Sequence, residues 1–172
     1  MIETSSRGSL WLLTITDEPL IPRALASRLY DGEGIAARPR TVVEDGVLRS
    51  YYVDTYYGRK LGWAPTSGGA TNLVFRHGEK DLDAIVADLD DAILVRAWVG
   101  GNADPTSGAF SFGVRGHLVR NGEVAEPISE MNVTGTYLDL LGKLVAVGND
   151  PVPWYPCRTP TLVFEGIQFS GS

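Results

Sequence analysis

The sequence predicts an α+β fold that is mainly antiparallel β, a curled sheet or partly closed barrel with hairpins, plus about two short helices. Three observations predict it. Apolar residues alternate with polar ones between Phe110 and Leu118, which is the period of a half-buried strand. Asp45-Gly46 and Asn121-Gly122 are dipeptides typical of two-residue hairpin turns. A helical period occurs in only two short segments.

The Asn121-Gly122 hairpin is predicted in most detail. Phe110, Phe112, Val114 and Leu118 share one strand face, and the turn places Arg120 opposite Glu123 and Val119 opposite Val124. Proline cannot donate to a β-ladder, so Pro127 places that part of the return strand at a sheet edge or a bulge. The next strand is predicted around residues 131–134.

The remaining strands follow from shorter apolar runs. The Asp45-Gly46 turn joins strand 41–44 to a long strand over 47–57, in which tyrosines alternate on both faces. A long irregular connection precedes this hairpin. Further strands are predicted over residues 10–16, 72–76, 93–99 and 161–169.

Two segments change to the helical period. Leu82, Ile85, Val86 and Leu89 form one apolar stripe, which predicts a helix over 81–89. Thr136 is expected to cap a second helix that runs to residue 145. Its inward residues would be Leu138, Leu141, Leu144 and Val145.

The bulk composition favours one soluble domain spanning residues 1–172. A chain of this length buries about 70% of its unfolded surface, and 44% hydrophobic with 21% charged residues is ordinary for a globular protein. The net charge is −6 and the basic residues are scattered. No nucleic-acid partner is therefore expected.

Cysteine usage and hydropathy indicate the compartment. Cys157 is the single cysteine, so no disulfide forms within the chain, and no apolar run reaches the roughly 18 residues that a membrane span needs. Charged residues and prolines interrupt the N-terminal apolar stretch, which argues against a signal peptide. A cytoplasmic protein with no membrane partner is expected. Because the first predicted strand begins so early, a fragment or a partner that supplies what precedes it is also expected.

No catalytic set assembles from the residue types alone. His77, His117 and Cys157 are the candidate nitrogen and sulfur ligands, and each stands apart from the others in sequence. A zinc site built from these three stays open as an alternative. No Gly-x-Ser-x-Gly elbow is present, so a serine hydrolase is not indicated.

Residues 65–72 form a glycine loop that leads into a strand. No Gly-Lys-Ser/Thr follows Gly68 and Gly69, so a phosphate cradle is unsupported. Glycines in this position can instead let another backbone approach closely. The tyrosines of 51–57 offer rigid contact area at a low entropy cost.

Several segments in the same order resemble one family. They read YYVDTYYGRKLG, TSGGATNL, GGNADPTSGAFSFGVRG, VGND and PTLVFEGI. This series resembles the C-terminal domain of the TldD/PmbA family, also called TldD/TldE and named for modulation of DNA gyrase. The family's N-terminal and central regions have no counterpart here, and the glycine-containing loop is closer to the PmbA/TldE type.

The resemblance implies a two-subunit metallopeptidase. The TldD-type subunit carries zinc on an HExxxH helix with a downstream cysteine, and the TldE-type subunit lacks that motif and completes a chamber. Substrates are flexible peptides, including peptide-antibiotic precursors and an antitoxin, bound in extended form. This chain has no HExxxH motif. Cys157 lies near the place of the zinc cysteine but could not hold zinc alone.

These expectations combine into one hypothesis and two alternatives. The chain is expected to be a TldE/PmbA-like subunit or fragment that binds no cofactor itself, while zinc sits in a TldD-type partner. Self-association and a flexible peptide substrate are the other expected contacts. The residues expected to face the chamber or the partner are Gly68, Gly69, Asn72, Asn102, Asp104, Ser107 and Phe110. The alternatives are a free-standing peptide- or carbohydrate-binding module using the 51–57 strand, and the zinc enzyme of His77, His117 and Cys157.

Overall fold

The computed structural model describes residues 9–171, so the two ends of the predicted 1–172 domain lie outside the described residues. It opens with a 3₁₀ turn, Ser9–Leu12, and contains three α-helices and eleven strands. The helices are α1 Thr55–Leu61, α2 Leu82–Ala87 and α3 Tyr137–Gly142. The strands are β1 Ile15–Asp17, β2 Arg40–Glu44, β3 Val47–Leu48, β4 Leu73–Phe75, β5 Asp91–Ala103, β6 Ala109–Arg120, β7 Glu123–Thr136, β8 Leu144–Val147, β9 Cys157–Arg158, β10 Leu162–Phe164 and β11 Phe169–Ser170.

The described chain divides into two compact units. The hairpin unit contains residues 9–10, 78–149 and 162–171, and the loop unit contains residues 11–77 and 150–161. Most strand pairs in both units are antiparallel, and no sheet closes on itself within residues 9–171. The predicted α+β fold with a curled, mainly antiparallel sheet is thereby confirmed. None of the three described helices has the length or the apolar character that crossing a bilayer requires.

The hairpin unit is built on a four-stranded sheet in the order β11-β7-β6-β5. Asn121 and Gly122 form the predicted turn, with φ of 50° and 81°. Arg120 pairs with Glu123 and Val119 with Val124, as predicted. Pro127 lies on the outer edge of β7, because β11 pairs with β7 only further along the strand, at Val133 and Asn132.

The core of this unit forms on the alternating face of β6. Phe110, Val114 and Val133 are buried together, and the partly buried residues around them include Met131 and Leu140. The period-two prediction therefore identified two of these three core residues. Beyond Val114 the pairing shifts register twice, and Val119 rather than Leu118 becomes the fully buried side chain.

Helix α2 confirms the prediction for residues 81–89. Asp81 caps it by accepting a hydrogen bond from the Ala84 N–H at 2.9 Å. Ile85 and Val86 are its buried residues. A short amphipathic helix is stabilised mainly by packing of this apolar face, because so few residues form little stable helix alone.

The second predicted helix is shorter than expected. Thr136 caps α3 as predicted, with its side chain accepting from the Asp139 N–H at 3.1 Å, but the helix ends at Gly142. Leu144 is fully buried, yet it belongs to β8, and Leu138 is 81% exposed. The predicted inward face was therefore wrong for Leu138, which is exposed within α3, and for Val145, where a strand replaces the last helical turn.

The loop unit contains a five-stranded sheet in the order β3-β2-β1-β4-β9. All neighbours are antiparallel except β4 and β9, which run parallel. Asp45 and Gly46 form the predicted turn between β2 and β3, with φ of 47° and 76°. The predicted strand over 10–16 is wrong in its first half, where the 3₁₀ turn occurs, and β1 follows it.

The predicted strand over 47–57 is also wrong. Only Val47–Leu48 is strand, and Thr55–Leu61 is helix α1. Asp54 caps this helix by accepting from the Tyr57 N–H at 2.7 Å, and Gly62 ends it with a left-handed φ of 70°. The caps decide the local structure against the β-propensity of the tyrosines. The predicted strand over 161–169 is also interrupted, by a bend at Glu165-Gly166 between β10 and β11.

Candidate functional site

The glycine loop, residues 65–72, is held at its carbonyl groups by two arginines from distant parts of the chain. The Arg28 guanidinium donates from Nη2 to the Gly69 carbonyl at 2.6 Å. The Arg40 Nη2 donates to the Thr66 carbonyl at 3.1 Å and to Ser67 Oγ at 2.7 Å. Charge-assisted hydrogen bonds of this kind are stronger than neutral ones, so the arginines fix the path of the loop.

Two aspartates hold the N–H groups of the same loop. Asp31 Oδ2 accepts from the Gly68 N–H at 3.1 Å, and Asp17 Oδ1 accepts from the Thr71 N–H at 2.9 Å and from the Thr71 hydroxyl. Both aspartates are buried, with Asp17 only 1% exposed. The loop is thus held by two cations and two anions, and the hydrogen bonds that each of them makes with the loop offset part of its desolvation cost.

The Asp31 carboxylate is kept ionised by its surroundings. Burial raises its pKa, but backbone N–H donors from Ile35, Gly68 and Glu33, together with the nearby Arg28 charge, outweigh burial and lower the pKa below the usual value. Hydrogen bonds to the charged form stabilise that form, which is why several of them can outweigh desolvation.

Tyr52 lies beside the same cluster. The Arg40 guanidinium stacks over its ring, 5.3 Å from the centroid. Burial, and then the neighbouring Asp17 carboxylate, raise the pKa of Tyr52 to about 12. The phenol therefore stays protonated and neutral at physiological pH, and contributes packing and a hydroxyl group rather than a charge.

Asn72 ends the glycine loop with its side chain inside the unit. Its Nδ2 donates to the Glu18 carbonyl at 2.8 Å and to Ser27 Oγ at 2.9 Å, and its own carbonyl accepts from the Glu18 N–H at 2.8 Å. Asn72 is fully buried. It joins the loop to the irregular segment after β1, so of the three predicted loop residues only the two glycines lie towards the outside.

The fold does not require glycine at positions 68 and 69. Neither Gly68 nor Gly69 has a positive φ. A Cβ added at Gly68 would lie 3.7 Å from Asp54 Cβ, and one added at Gly69 would lie 4.0 Å from Arg28 Nη2, both ordinary contact distances. The backbone conformation and the surrounding space therefore both accept a Cβ at these positions.

The other predicted site residues belong to the hairpin unit, where Asp104 and Ser107 hold their own turn. Asp104 accepts from the Thr106 N–H at 2.8 Å and from Ser107 Oγ at 2.6 Å, and these bonds, the Ser107 hydroxyl first, lower its pKa. Asn102 lies in β5 opposite Ser111, and Phe110 is in the core. Asp104 and Ser107 therefore have a structural role in the turn.

The candidate metal ligands do not assemble into a site. His77 and Cys157 belong to the loop unit and His117 to the hairpin unit. Across residues 9–171, no three His, Cys, Asp or Glu side chains lie close enough to share a metal ion. The exposed Cys157 thiol contacts the Thr159 hydroxyl at 3.2 Å. The described residues therefore do not fit a zinc ion, which needs about four ligands in structural sites and three in catalytic ones.

The sequence did not predict most of the contacts that hold the glycine loop. Its contacts join residues far apart in the chain, as in Gly68 with Asp31 and Thr71 with Asp17, and no local pattern marks such pairs. Helix α1 did carry a local signal. Asp54 at the N-cap, Gly62 after the last turn, and the basic pair Arg59-Lys60 in that turn are helix-boundary residues.

Comparison with known proteins identifies the family of this fold. The family model described as the PmbA/TldA metallopeptidase C-terminal domain matches residues 11–171. Curated relatives include the metalloprotease PmbA homolog of Haemophilus influenzae, 32% identical over 92% of this chain, and the metalloprotease PmbA of Escherichia coli O157:H7, 31% identical over 80% of it. The chain spans only 36% and 31% of these two relatives' own length.

Solved structures give the same result. A Bacteroides thetaiotaomicron protein named as a candidate modulator of DNA gyrase superposes with a TM-score of 0.91 and 44% identity, over 97% of this chain and 38% of that one. TldE from Thermococcus kodakarensis shares the fold, with a TM-score of 0.84 and 22% identity over 97% of this chain and 41% of that one. The chain therefore belongs to the PmbA/TldA metallopeptidase family and represents its C-terminal domain.

Proposed function

We propose that the chain is part of a TldE/PmbA-like subunit in a two-subunit zinc peptidase of the cytoplasm that processes flexible peptides. In this proposal it supplies chamber wall and partner surface, and a TldD-type subunit brings the metal. The matches to PmbA-type relatives support the assignment. The lack of a metal-ligand cluster among residues 9–171 is consistent with zinc held by another subunit.

The clasped glycine loop is the observation that carries the proposal. Four charged side chains fix it from the inside, those of Arg28, Arg40, Asp17 and Asp31. Gly68 is exposed and Gly69 is partly buried. At neither position does the φ angle or the space around a Cβ require glycine. Glycine costs roughly 0.5–1 kcal/mol in chain entropy relative to alanine. We infer that the advantage is external: a bare backbone lets another main chain approach and form hydrogen bonds with it.

Gly69→Val tests this inference. The variant is expected to fold, because its backbone and the space around it accept a side chain, but to block the approach of a second main chain. Titrated into a TldD-type subunit, it should support peptide cleavage at least tenfold more weakly than the wild type, since excluding a few main-chain bonds costs more than about 1.4 kcal/mol.

Gly142→Val is the matched control, because Gly142 also lacks a positive φ and no atom lies within 4 Å of the point that a Cβ would occupy there. It should support peptide cleavage by the TldD-type subunit as well as the wild type does. Unchanged assembly and unchanged cleavage with Gly69→Val would rule out a role of the glycine loop in contacting another main chain.

A free-standing binding module is the second candidate, and exposed aromatic residues favour it. The region predicted as the 51–57 strand presents Tyr51, Tyr56 and Tyr57 more than half exposed. Such a module would bind a peptide or an oligosaccharide as a stable monomer, without any partner subunit. Analytical ultracentrifugation with and without a TldD-type subunit separates the two candidates, because a free-standing module stays monomeric and a TldE/PmbA-like subunit forms a complex.

A further inference from the structure

The exposed aromatic residues in and around helix α1 form two pairs of rings. We define the α1 aromatic face as Tyr51, Tyr56, Tyr57 and Trp63, which are 58%, 64%, 52% and 51% exposed. Tyr51 and Trp63 lie with their ring centroids 5.9 Å apart, and Tyr56 meets Tyr57 edge-on at 5.1 Å. Pairs of large exposed rings offer apolar contact area, and exposed apolar clusters often mark binding sites.

This face adjoins the glycine loop. Thr66 Oγ1 accepts from the Val53 N–H and donates to the Tyr51 carbonyl, both at 2.9 Å. A side chain at Gly58 would meet the Trp63 carbonyl at 2.9 Å and Pro65 at 3.1 Å, so helix, Trp63 and loop are tightly packed. Asp54, the N-cap of α1, is the residue nearest to an added Cβ at Gly68. The segment that carries these rings is thus packed against the glycine loop.

The positive charge of helix α1 lies in its last turn, at Arg59 and Lys60. The two acids lie at the opposite end of the helix, where Asp54 caps it and Glu33 accepts from the Thr55 N–H and hydroxyl. The Lys60 ammonium lies 5.9 Å from the ring centroids of both Tyr56 and Tyr57. Within the described part of the chain, neither Arg59 nor Lys60 pairs with a carboxylate.

We propose that the α1 aromatic face binds an acidic residue next to an aromatic side chain of the extended peptide. Tyrosine and tryptophan rings stack on such a side chain at a low entropy cost. The Arg59 guanidinium offers a planar pair of donors to a carboxylate. This inference rests on the proposed function and adds to it the kind of peptide segment that the glycine loop would present.

Three fluorescein-labelled decapeptides test the proposal by anisotropy. They share a Gly-Ser background and differ at the centre, which is Glu-Phe-Glu, Lys-Phe-Lys or Glu-Ala-Glu. The wild-type protein should bind the Glu-Phe-Glu peptide at least about tenfold more tightly than either of the others. Tyr56→Ala should remove about tenfold or more of that affinity, as aromatic contacts at binding centres do. Arg59→Glu should shift the preference towards the Lys-Phe-Lys peptide.

Two matched controls keep the result specific. Tyr155→Ala removes a tyrosine of similar exposure, 58%, from another part of the loop unit, and Arg96→Glu makes the same charge change on the hairpin unit. Both should bind all three peptides as the wild type does. Thermal unfolding of every variant confirms that it is folded.

The outcomes separate this inference from the proposed function. If all three peptides bind equally and Gly69→Val weakens each of them, the loop binds peptide main chains and the preference proposed here is wrong. If none binds, this proposal fails and the peptide-binding role of the loop fails with it. If Tyr56→Ala instead lowers the melting temperature or abolishes a concentration-dependent dimer, without affecting peptide binding, the face is covered by protein and the proposal is overturned.

Discussion

The Asp31 carboxylate ties together three segments of backbone. It accepts from the Glu33 and Ile35 N–H groups at 2.9 Å and from the Gly68 N–H at 3.1 Å. Its own turn and the glycine loop are therefore held by one side chain. Donors of this number lower the pKa of the carboxyl group, and the lowered pKa links the stability of the loop to pH.

The pH dependence follows from the direction of that shift. The pKa of Asp31 is lower in the folded than in the unfolded chain, so its contribution is fully present above the unfolded value, near 4, and is lost as the pH falls through the folded value. Asp31→Asn should destabilise the protein at neutral pH, because an amide N–H would face the Gly68 N–H. Its stability should then fall less steeply below pH 4 than that of the wild type.

Denaturant unfolding between pH 3 and pH 7 measures this difference. Asp90→Asn is the control, because Asp90 is exposed and its side chain, unlike that of Asp31, accepts no hydrogen bond from the described backbone. It should follow the wild-type curve. Parallel curves for the wild type and Asp31→Asn would contradict the assigned role.

At the scale of elements, the β5-β6-β7 meander depends on glycines at its register shifts. The pairing of β6 shifts between Val114 and Gly116 on one side, and β5 shifts between Val95 and Ala97 on the other. A Cβ at Gly116 would lie 1.9 Å from the Leu94 carbonyl oxygen, a distance that no real side chain adopts. Bulges of this kind bend and twist a sheet, so the close approach at Gly116 is part of the curl.

Gly116→Ala should therefore destabilise the protein by about 1–3 kcal/mol, the usual cost of overpacking an interior. Gly142→Ala is the matched change. Gly142 ends α3, its φ is not positive, and nothing lies within 4 Å of an added Cβ, so alanine there should be neutral or stabilise by up to about 1 kcal/mol. Chemical denaturation of the two variants measures the contrast. Equal stabilities would show that the strands relax around the new methyl group.

Local signals predicted most elements, and the misses have two physical reasons. Period two, Asn121-Gly122 and the Asp81 cap are local features, and the hairpin and α2 form where these features predict them. Tyr56 and Tyr57 favour strand intrinsically, yet α1 forms because capping and packing against Pro65 outweigh propensity. The contacts that hold the glycine loop could not be predicted from local patterns, since each of them joins residues that are distant in the chain.

At the scale of the whole molecule, an unusual amount of aromatic surface is exposed in both units. In the loop unit Trp11, Trp63 and Trp154 are 61%, 51% and 68% exposed, and in the hairpin unit Trp98 is 61% exposed. The chain spans about a third of the length of its curated relatives. An exposed tryptophan offers a large, rigid contact area to any partner that covers it.

The last prediction concerns the proposal that a TldD-type subunit, and not this chain, holds the zinc. The described residues gather no metal-ligand cluster, so the purified protein should contain far less than one zinc per chain and should not cleave an unstructured peptide. Addition of a TldD-type subunit should produce cleavage that a chelator abolishes. Elemental analysis and a fluorogenic peptide assay measure the two quantities, with Cys157→Ser as the control for adventitious binding at the exposed thiol. Near-stoichiometric zinc that is lost in Cys157→Ser, together with chelator-sensitive cleavage by the protein alone, would refute that proposal and restore a metal site within this chain.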